Sequence, residues 1–440
     1  MNKSPLTKKV SHRIVDWMSD TLNTTDLEKR AFLVGIRDNV VSEEEAQSLT
    51  RELSELARTL GLQIVDQELV RIRESHPRYG IGKGKAEEIA RRVAEQPVDC
   101  LIFDTDLSPS QQRNWEELCG VSAIDRQELI IQIFASRAQT KEAELQVELA
   151  RLKHRLPRLS HTELDLSQQR GGRYSTRGAG EKKLELDRRA ILRRIHQLEK
   201  EIEAIRQHRA TQRKRRDRVP IPSCVLVGYT NAGKSSLLNA LTNARVLVED
   251  KLFATLDPTT RRIELRRGRP LLLTDTVGFI RRLPHHLVDA FQATLEEAAR
   301  ADLLLVVLDA SDPERDRHYH TTLEVLSQLG AHDIPRLVVL NKIDLLENQR
   351  ERQELQQQYG EAIAVSAQTG EGLEDLLSRI EELLGGSLCE VRIPVNRYDL
   401  VARLHQEGCI LEEHHEEKTI FLRVRLDKRT AGQLREWIVG

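Results

Sequence analysis

The segment Gly228-Tyr229-Thr230-Asn231-Ala232-Gly233-Lys234-Ser235 has the spacing G-x-x-x-x-G-K-S, and each residue type has a chemical use there. The two glycines let the backbone curl until successive N–H groups face phosphate oxygens. An ammonium at Lys234 can neutralise charge on β- and γ-phosphates, and the Ser235 hydroxyl can bind Mg2+. Before the motif, the apolar run Cys224–Val227 reads as a buried strand. After Ser236, the residues Leu237, Leu238 and Leu241 begin a helix whose N-terminus faces the phosphates. A chance glycine turn would not come with strand, loop and helix in that order.

Further stretches supply the rest of a nucleotide site. Leu271–Leu273 is an apolar run that ends in Asp275-Thr276-Val277-Gly278. Asp275 can hold Mg2+ through water, and Gly278 can offer its N–H to a γ-phosphate. Leu337–Leu340 ends in Asn341-Lys342-Ile343-Asp344. A carboxylate at Asp344 can accept from guanine N1–H and the 2-amino group. Adenine lacks that pair of donors and would leave the carboxylate unmatched. Ala362–Val365 precedes Ser366-Ala367-Gln368, an expected backbone contact to the guanine oxygen. Phe253-Ala254-Thr255-Leu256-Asp257 completes the expected contacts, with Thr255 as a second hydroxyl for Mg2+ beside Ser235. Lys234, Thr255 and Gly278 are the expected hydrolytic residues. Taken in this order, the motifs indicate a GTPase domain of the translation-factor type that binds GTP and GDP.

The residue after Gly278 is Phe279. Ras-like GTPases place there a glutamine that orients the attacking water. Phe279 cannot hydrogen-bond, so hydrolysis by the chain alone is expected to be slow, with the water oriented by another group. Arg281 and Arg282 are close enough in sequence to help, but read more simply as surface arginines.

The elements that must position these residues fit a 440-residue chain of about three domains. Formal net charge is -1, aromatics are 4% and charged residues 31%, so aliphatic and helix-forming residues carry the fold. Cys100, Cys119, Cys224, Cys389 and Cys409 show no CxxC spacing, which favours reduced thiols over disulfides or zinc. No signal peptide is visible, and no apolar run approaches the ~18 residues of a membrane span. A cytoplasmic monomer without a membrane span is expected.

The expected fold is α/β throughout: a P-loop GTPase domain with a mostly parallel doubly wound sheet over 220–385, an N-terminal α/β domain over 30–127, an antiparallel helical hairpin over 128–219 and a small C-terminal α+β domain over 386–440, after an extension at 1–29. In the N-terminal domain, Ala31–Ile36, Leu62–Ile72, Val98–Phe103 and Val121–Asp125 alternate with helices starting at Ser42, Ala86 and Pro109, the pattern of a parallel sheet. Gly80–Lys85 reads as a flexible basic loop. It lacks the four-residue gap and the hydroxyl of a second phosphate loop.

The hairpin shows itself by its stripe. Leu145, Leu149, Leu152, Leu156 and Leu159 step by four and three, as do Ile191, Ile195, Leu198, Ile202 and Ile205. Between the two helices lies a Gly- and Arg-rich loop at 160–180. Over Arg151–Arg218 there are 21 Lys and Arg against 9 Asp and Glu. A helix pair that only needs solubility would mix the signs; this excess suits a phosphate backbone. Arg170, Arg173, Arg177, Lys182 and Lys183 are the candidate RNA contacts. With only Tyr174 available to stack on a base, shape and phosphate contacts should dominate. The C-terminal domain reads as a strand, a helix, a hairpin turning at His414–Lys418 and a closing helix over Thr430–Ile438; His405, His414 and His415 read as exposed.

Gly228–Leu241 (GYTNAGKSSLLNAL), Phe253–Arg262 (FATLDPTTRR), Asp275–Ile280 (DTVGFI) and Asn341–Asp344 (NKID) together resemble the HflX family of ribosome-associated GTPases over nearly the full length. The family loop GGxGxRGPGETQLE differs here, with Ala179 for its proline and Lys182-Lys183 for its polar pair. The resemblance implies a GTPase that binds the large ribosomal subunit, its hairpin loop reaching rRNA, and that splits or rescues stalled ribosomes under stress. A ribosome-assembly GTPase and an RNA-remodelling protein with GTP only as a switch stay open as alternatives.

Overall fold

Arg30–Arg37 (β1) reads RAFLVGIR and is buried from Ala31 to Ile36, as a central strand covered on both faces must be. The computed structural model of the chain describes residues 29–160, 177–216, 221–242, 252–265, 269–282, 297–360, 362–384, 387–407, 409–416, 418–426 and 428–439. By packing, the chain forms two units. One holds Met1–Thr211 with Asp250–Asp257 and Arg282–Phe291; the other holds Gln212–Glu249, Pro258–Arg281 and Gln292–Gly440. The 1–28 extension, Arg170 and Arg173 lie outside the described residues.

In the first unit, β1 is flanked by Gln63–Arg71 (β2) and Cys100–Phe103 (β3), and Ser122–Asp125 (β4) pairs with β3, all parallel in the order β2-β1-β3-β4. Three helices cross over. Glu43–Thr59 (α1) starts at Ser42, whose side chain accepts from the Glu45 N–H, with three glutamates in its first turn. Lys83–Glu95 (α2) begins earlier than the sequence suggests. Lys83–Lys85 form its first turn, and Lys85 is tied to Glu68 at 2.7 Å and Glu88 at 2.8 Å. The basic loop is therefore partly helix, fixed by carboxylates. Pro109–Cys119 (α3) opens with a reciprocal capping box between Ser108 and Gln111.

Arg126–Arg137 (α4) runs through the expected hairpin boundary at 128. Leu129, Ile130 and Ile133 are fully buried, and the helix packs with α1, β3 and β4. It covers the sheet, so the paired helices start later, at Lys141–Ser160 (α5), and continue with Arg177–Arg216 (α6). The stripe is the seam: Leu145 and Leu149 meet Ile195, Leu198 and Ile202, with Leu152, Leu156, Ile191 and Ile205 along its edges. Arg194 grips Glu148 with two bonds of 2.8 Å. The loop is shorter at its second end than the expected 160–180. Arg177–Gly180 are already helical, as are Lys182 and Lys183. Each helical glycine costs about 1 kcal/mol. The Glu181-Lys-Lys-Leu-Glu run that follows favours helix, and extending a formed helix backward avoids a new nucleation step.

The second unit contains a six-stranded sheet in the order Ile363–Ala364 (β10), Arg336–Asn341 (β9), Leu303–Asp309 (β8), Ser223–Gly228 (β5), Pro270–Asp275 (β7) and Thr259–Glu264 (β6). Only β6 runs antiparallel. The helices are Lys234–Thr242 (α7), Arg315–Gln328 (α8), Gln349–Gln358 (α9) and Leu373–Leu384 (α10). A three-stranded antiparallel sheet follows: Ser387–Pro394 (β11), Cys409–His415 (β12) and Thr419–Leu426 (β13), with Tyr398–Glu407 (α11) in its core. The expected closing helix is broken into Lys428–Gln433 (α12) and a single turn at Arg435–Trp437. Leu434 drops into the core at the break, and the chain end pairs with β11 through the Val439 N–H to Glu390 O bond of 2.7 Å. Of the histidines, His405 and His415 both lie at 2.9–3.0 Å from the Glu413 carboxylate. Cys100, Cys224 and Cys389 are buried thiols.

Trp115 locks the first unit. It is fully buried, donates its indole N–H to Tyr79 O at 2.9 Å, and packs on Phe103 and Tyr79. Trp115→Ala should lower the stability of this unit by about 3–5 kcal/mol, read from urea unfolding followed by far-UV circular dichroism. An unchanged midpoint would contradict this packing.

Candidate active site

Strands β5, β7, β8 and β9 all end at one edge, because register sets Leu226 beside Asp275, Gly228 beside Val307 and Asp309 beside Asn341. The carboxyl edge of such a sheet is where ligands bind in doubly wound folds. The loop Gly228–Gly233 starts there and α7 follows. Gly228 has φ 147° and a Cβ on it would lie 2.3 Å from Val307 O; Gly233 has φ 89° and its Cβ would strike Asn341 Nδ2 at 2.2 Å. No side chain fits either place.

Lys234 is buried, and its ammonium donates to Gly228 O at 3.1 Å and Tyr229 O at 2.7 Å. Burial pulls its pKa down to about 8, with Asp275 opposing the shift. Ser235 Oγ donates to Asp275 Oδ2 at 2.6 Å. Hydroxyl and carboxylate form a hard-oxygen donor pair, which fits Mg2+. Gly278 closes the site from the other side. A Cβ there would meet Thr230 Cα at 2.7 Å and Lys234 Nζ at 2.9 Å. Thr230 Oγ1 is buried with no hydrogen-bond partner among the described residues, which fits a group that bonds to a ligand. Thr276 Oγ1 donates to Leu226 O and Val277 is buried, so these two hold the strand end rather than face outward.

Asn341 joins the two halves of the site. Its Nδ2 donates to Ala232 O at 2.9 Å, and its Oδ1 accepts from the Ala367 N–H at 3.0 Å. Asp344 accepts from Ser366 Oγ at 2.5 Å. Lys342 is left-handed at φ 63° and pairs with Asp309 at 2.7 Å; Ile343 is buried; Gln368 is exposed. Reading the sequence missed Asp309, at the end of the apolar run Leu303–Leu308, although that run has the same form as Cys224–Val227, Leu271–Leu273 and Leu337–Leu340. It also missed Arg352, which donates to Ile343 O at 2.7 Å and pairs with Glu371.

The stretch Phe253–Asp257 packs in the first unit. Phe253 is buried against the Phe134 ring, 4.7 Å between centroids. Asp257 accepts from the Gln139 and Thr140 N–H groups at 3.2 Å and from the Thr140 hydroxyl, at the start of α5. Leu252 N–H donates to Thr59 Oγ1 at 3.2 Å, and Leu256 is buried. Phe253 and Leu256 thus pack, and Asp257 caps α5, roles that periodicity did not reveal. Arg281 is also not the surface arginine expected. It is 11% exposed and pairs with Glu314 at 3.5 Å.

The depressed Lys234 pKa predicts how phosphate binding depends on pH. A bound phosphate favours the ammonium and raises the pKa, so binding takes up a proton above about pH 8. Between the folded value of about 8 and the unfolded 10.5, the unfolded chain holds more protons, so this group adds stability to the ligand-free protein as pH rises. Affinity moves oppositely. GDP should bind roughly tenfold more weakly at pH 9 than at pH 7, measured by calorimetry in buffers of different ionisation heat. Flat affinity across that range would contradict the buried ammonium.

Comparison with known proteins covers most of the chain. Residues 47–135 match a family model described as GTP-binding GTPase N-terminal, 137–216 the GTP-binding GTPase Middle Region, 223–342 the 50S ribosome-binding GTPase and 352–438 the HflX C-terminal domain. The chain is 46% identical over 410 residues to GTPase HflX of Akkermansia muciniphila, covering 90% of this chain and 94% of the relative. It is 44% identical over 355 residues to GTPase HflX of Escherichia coli, covering 80% and 83%. A solved GTP-binding protein from Sulfolobus solfataricus in complex with GDP is 28% identical, at a TM-score of 0.44, over 81% of this chain and 98% of that one. The α/β fold and the GTPase motifs agree with these matches, and no described helix is long and apolar enough to cross a membrane. On 46% identity along nine-tenths of its length, the chain belongs to the HflX family of GTP-binding GTPases.

Proposed function

We propose that the protein hydrolyses GTP as a timed factor of the large ribosomal subunit and splits or rescues stalled ribosomes. The observation that carries the nucleotide half is the Asn341 side chain, which ties Ala232 in the phosphate loop to Ala367 beside Asp344. One amide thereby sets the spacing between triphosphate and base. Asp344 reads guanine, with the Ala367 backbone near its oxygen. Gly228–Ser236 cradle the phosphates, and Asp275–Gly278 line the γ side. Ser235 and Thr255 would hold Mg2+, with Asp275 behind Ser235. Mg2+ bound there would neutralise charge building on the bridging oxygens.

Hydrolysis then needs a water in line with the γ-phosphorus. Water oxygen bonds to phosphorus and gives up its proton to the released phosphate, the bond from phosphorus to the β-phosphate oxygen breaks, and GDP departs with that electron pair. Lys234 stabilises the charge as it shifts to the leaving oxygen, and the Gly278 N–H holds the γ-phosphate. Phe279 contributes no hydrogen bond to the water, so the chain alone is slow and the ribosome supplies the missing orientation.

Support for the ribosome as partner comes from the matched 50S ribosome-binding GTPase region and from the charge of the hairpin. In this reading Arg170, Arg173, Arg177, Lys182 and Lys183 contact rRNA phosphates. Mg2+ as cofactor, the cytoplasm as compartment and a monomer as the working form belong to the same proposal.

Phosphate release at fixed GTP, with and without purified large subunits, tests it. Subunits should accelerate hydrolysis at least about tenfold, a barrier change of about 1.4 kcal/mol. Replacing Arg170, Arg173 and Arg177 together by Ala should remove most of that stimulation and flatten the salt dependence of binding by roughly one unit per lost phosphate contact, leaving basal turnover unchanged. A fast basal rate that subunits do not alter would overturn the proposal. Association with immature particles alone would favour an assembly role.

A further inference from the structure

With Phe279 unable to orient water, something else must fix the segment that follows Gly278. Within the second unit that segment is fastened to the phosphate loop at three points. Phe279 N–H donates to Gly228 O at 3.0 Å, Thr230 N–H donates to Phe279 O at 2.8 Å, and Arg281 N–H donates to Tyr229 Oη at 2.9 Å. The first two bonds are backbone to backbone and any sequence could make them. The third depends on a phenol.

The phenol is itself held. Tyr229 is 5% exposed, and its ring lies on the His318 imidazole of α8, with centroids 3.7 Å apart and planes within 11°. His318 Nδ1 lies 3.3 Å from Asp312 Oδ2. Burial raises the Asp312 carboxyl, but the bonds from His318 and the Glu314 N–H outweigh it, and the net shift is downward. Glu314, just ahead of α8, also holds the Arg281 guanidinium at 3.5 Å and Arg317 at 2.8 Å. One helix start thus grips both partners of the third bond: Tyr229 by its ring and Arg281 by its side chain.

We propose that Tyr229 is a positioning residue for GTP hydrolysis, latching the backbone at Arg281 so that the Gly278 N–H stays aimed at the γ-phosphate. Its phenol acts without touching the nucleotide, which the Tyr229 backbone helps to cradle, and supplies through the backbone at Arg281 part of the order that a glutamine at 279 would give directly. A neighbour in the phosphate loop is otherwise read as a nucleotide contact. Here the Tyr229 backbone serves Lys234 while its side chain serves the segment after Gly278. The inference rests on the reading of Gly278 and Lys234 as phosphate contacts.

The test is single-turnover hydrolysis of pre-bound GTP by the full chain, alongside GDP affinity from a fluorescent analogue. Tyr229→Phe keeps the ring on His318 and removes the acceptor. One lost hydrogen bond should slow the chemical step by about fivefold with GDP affinity unchanged. Glu314→Gln loosens the same segment through Arg281, so the double variant should be slower than the parent by less than the product of the two single effects. A Tyr229→Phe rate equal to the parent overturns the latch. A parallel loss of GDP affinity overturns it too, because Tyr229 would then be serving the nucleotide. Lys234→Ala separates the two claims. It should abolish hydrolysis, and unchanged turnover there would sink the phosphate-loop reading beneath the latch.

Discussion

A buried ammonium sets the layout of the GTPase domain. Lys234 has left water for a place where, among the described residues, backbone carbonyls and Asp275 offset its charge. Such a charge is tolerable only if several oxygens are held near it. The central strand β5 delivers Gly228 O and Tyr229 O, β7 delivers Asp275, and Gly233 gives the loop room to turn between them. The domain is thereby built to accept anionic oxygens where its own carbonyls now stand. The neighbouring strands end at the same level because parallel pairing fixes their register.

From that centre the order spreads by single side chains that serve two loops at once. Asn341 bonds to the phosphate loop and to the Ser366–Gln368 loop. Lys342 crosses to Asp309, and Arg352 crosses to Ile343 and Glu371. Bonds of this kind keep the site pre-shaped, which cuts the ordering cost when a nucleotide binds. Tyr229 extends the same logic to the segment beyond Gly278.

Much of this was legible in the chain. The stretches that begin at Gly228, Asp275 and Asn341 stand at strand ends, as their apolar runs implied, and the leucine and isoleucine stripes became the α5–α6 seam. What was not legible depends on distant packing. Helix α4 carries apolar residues on most of its surface, so periodicity could not say that it covers the N-terminal sheet. Phe253 fills an aromatic gap beside Phe134 and Asp257 caps the start of α5, contacts between distant stretches that no local pattern announces. Arg281 looks exposed until Glu314, more than thirty residues away in sequence, is seen beside it. At the end of the hairpin loop, glycines at 178 and 180 argue against helix locally, while the long run after them argues for it, and Arg177–Gly180 are helical.

The central claim is that this geometry selects and hydrolyses guanosine triphosphate. The most direct measurement is parallel turnover of GTP and ATP by the purified full chain with Mg2+ and large ribosomal subunits. The account predicts that GTP is converted to GDP and phosphate while ATP is left intact and does not compete at equal concentration. Equal consumption of the two nucleotides, or consumption of neither, would contradict it.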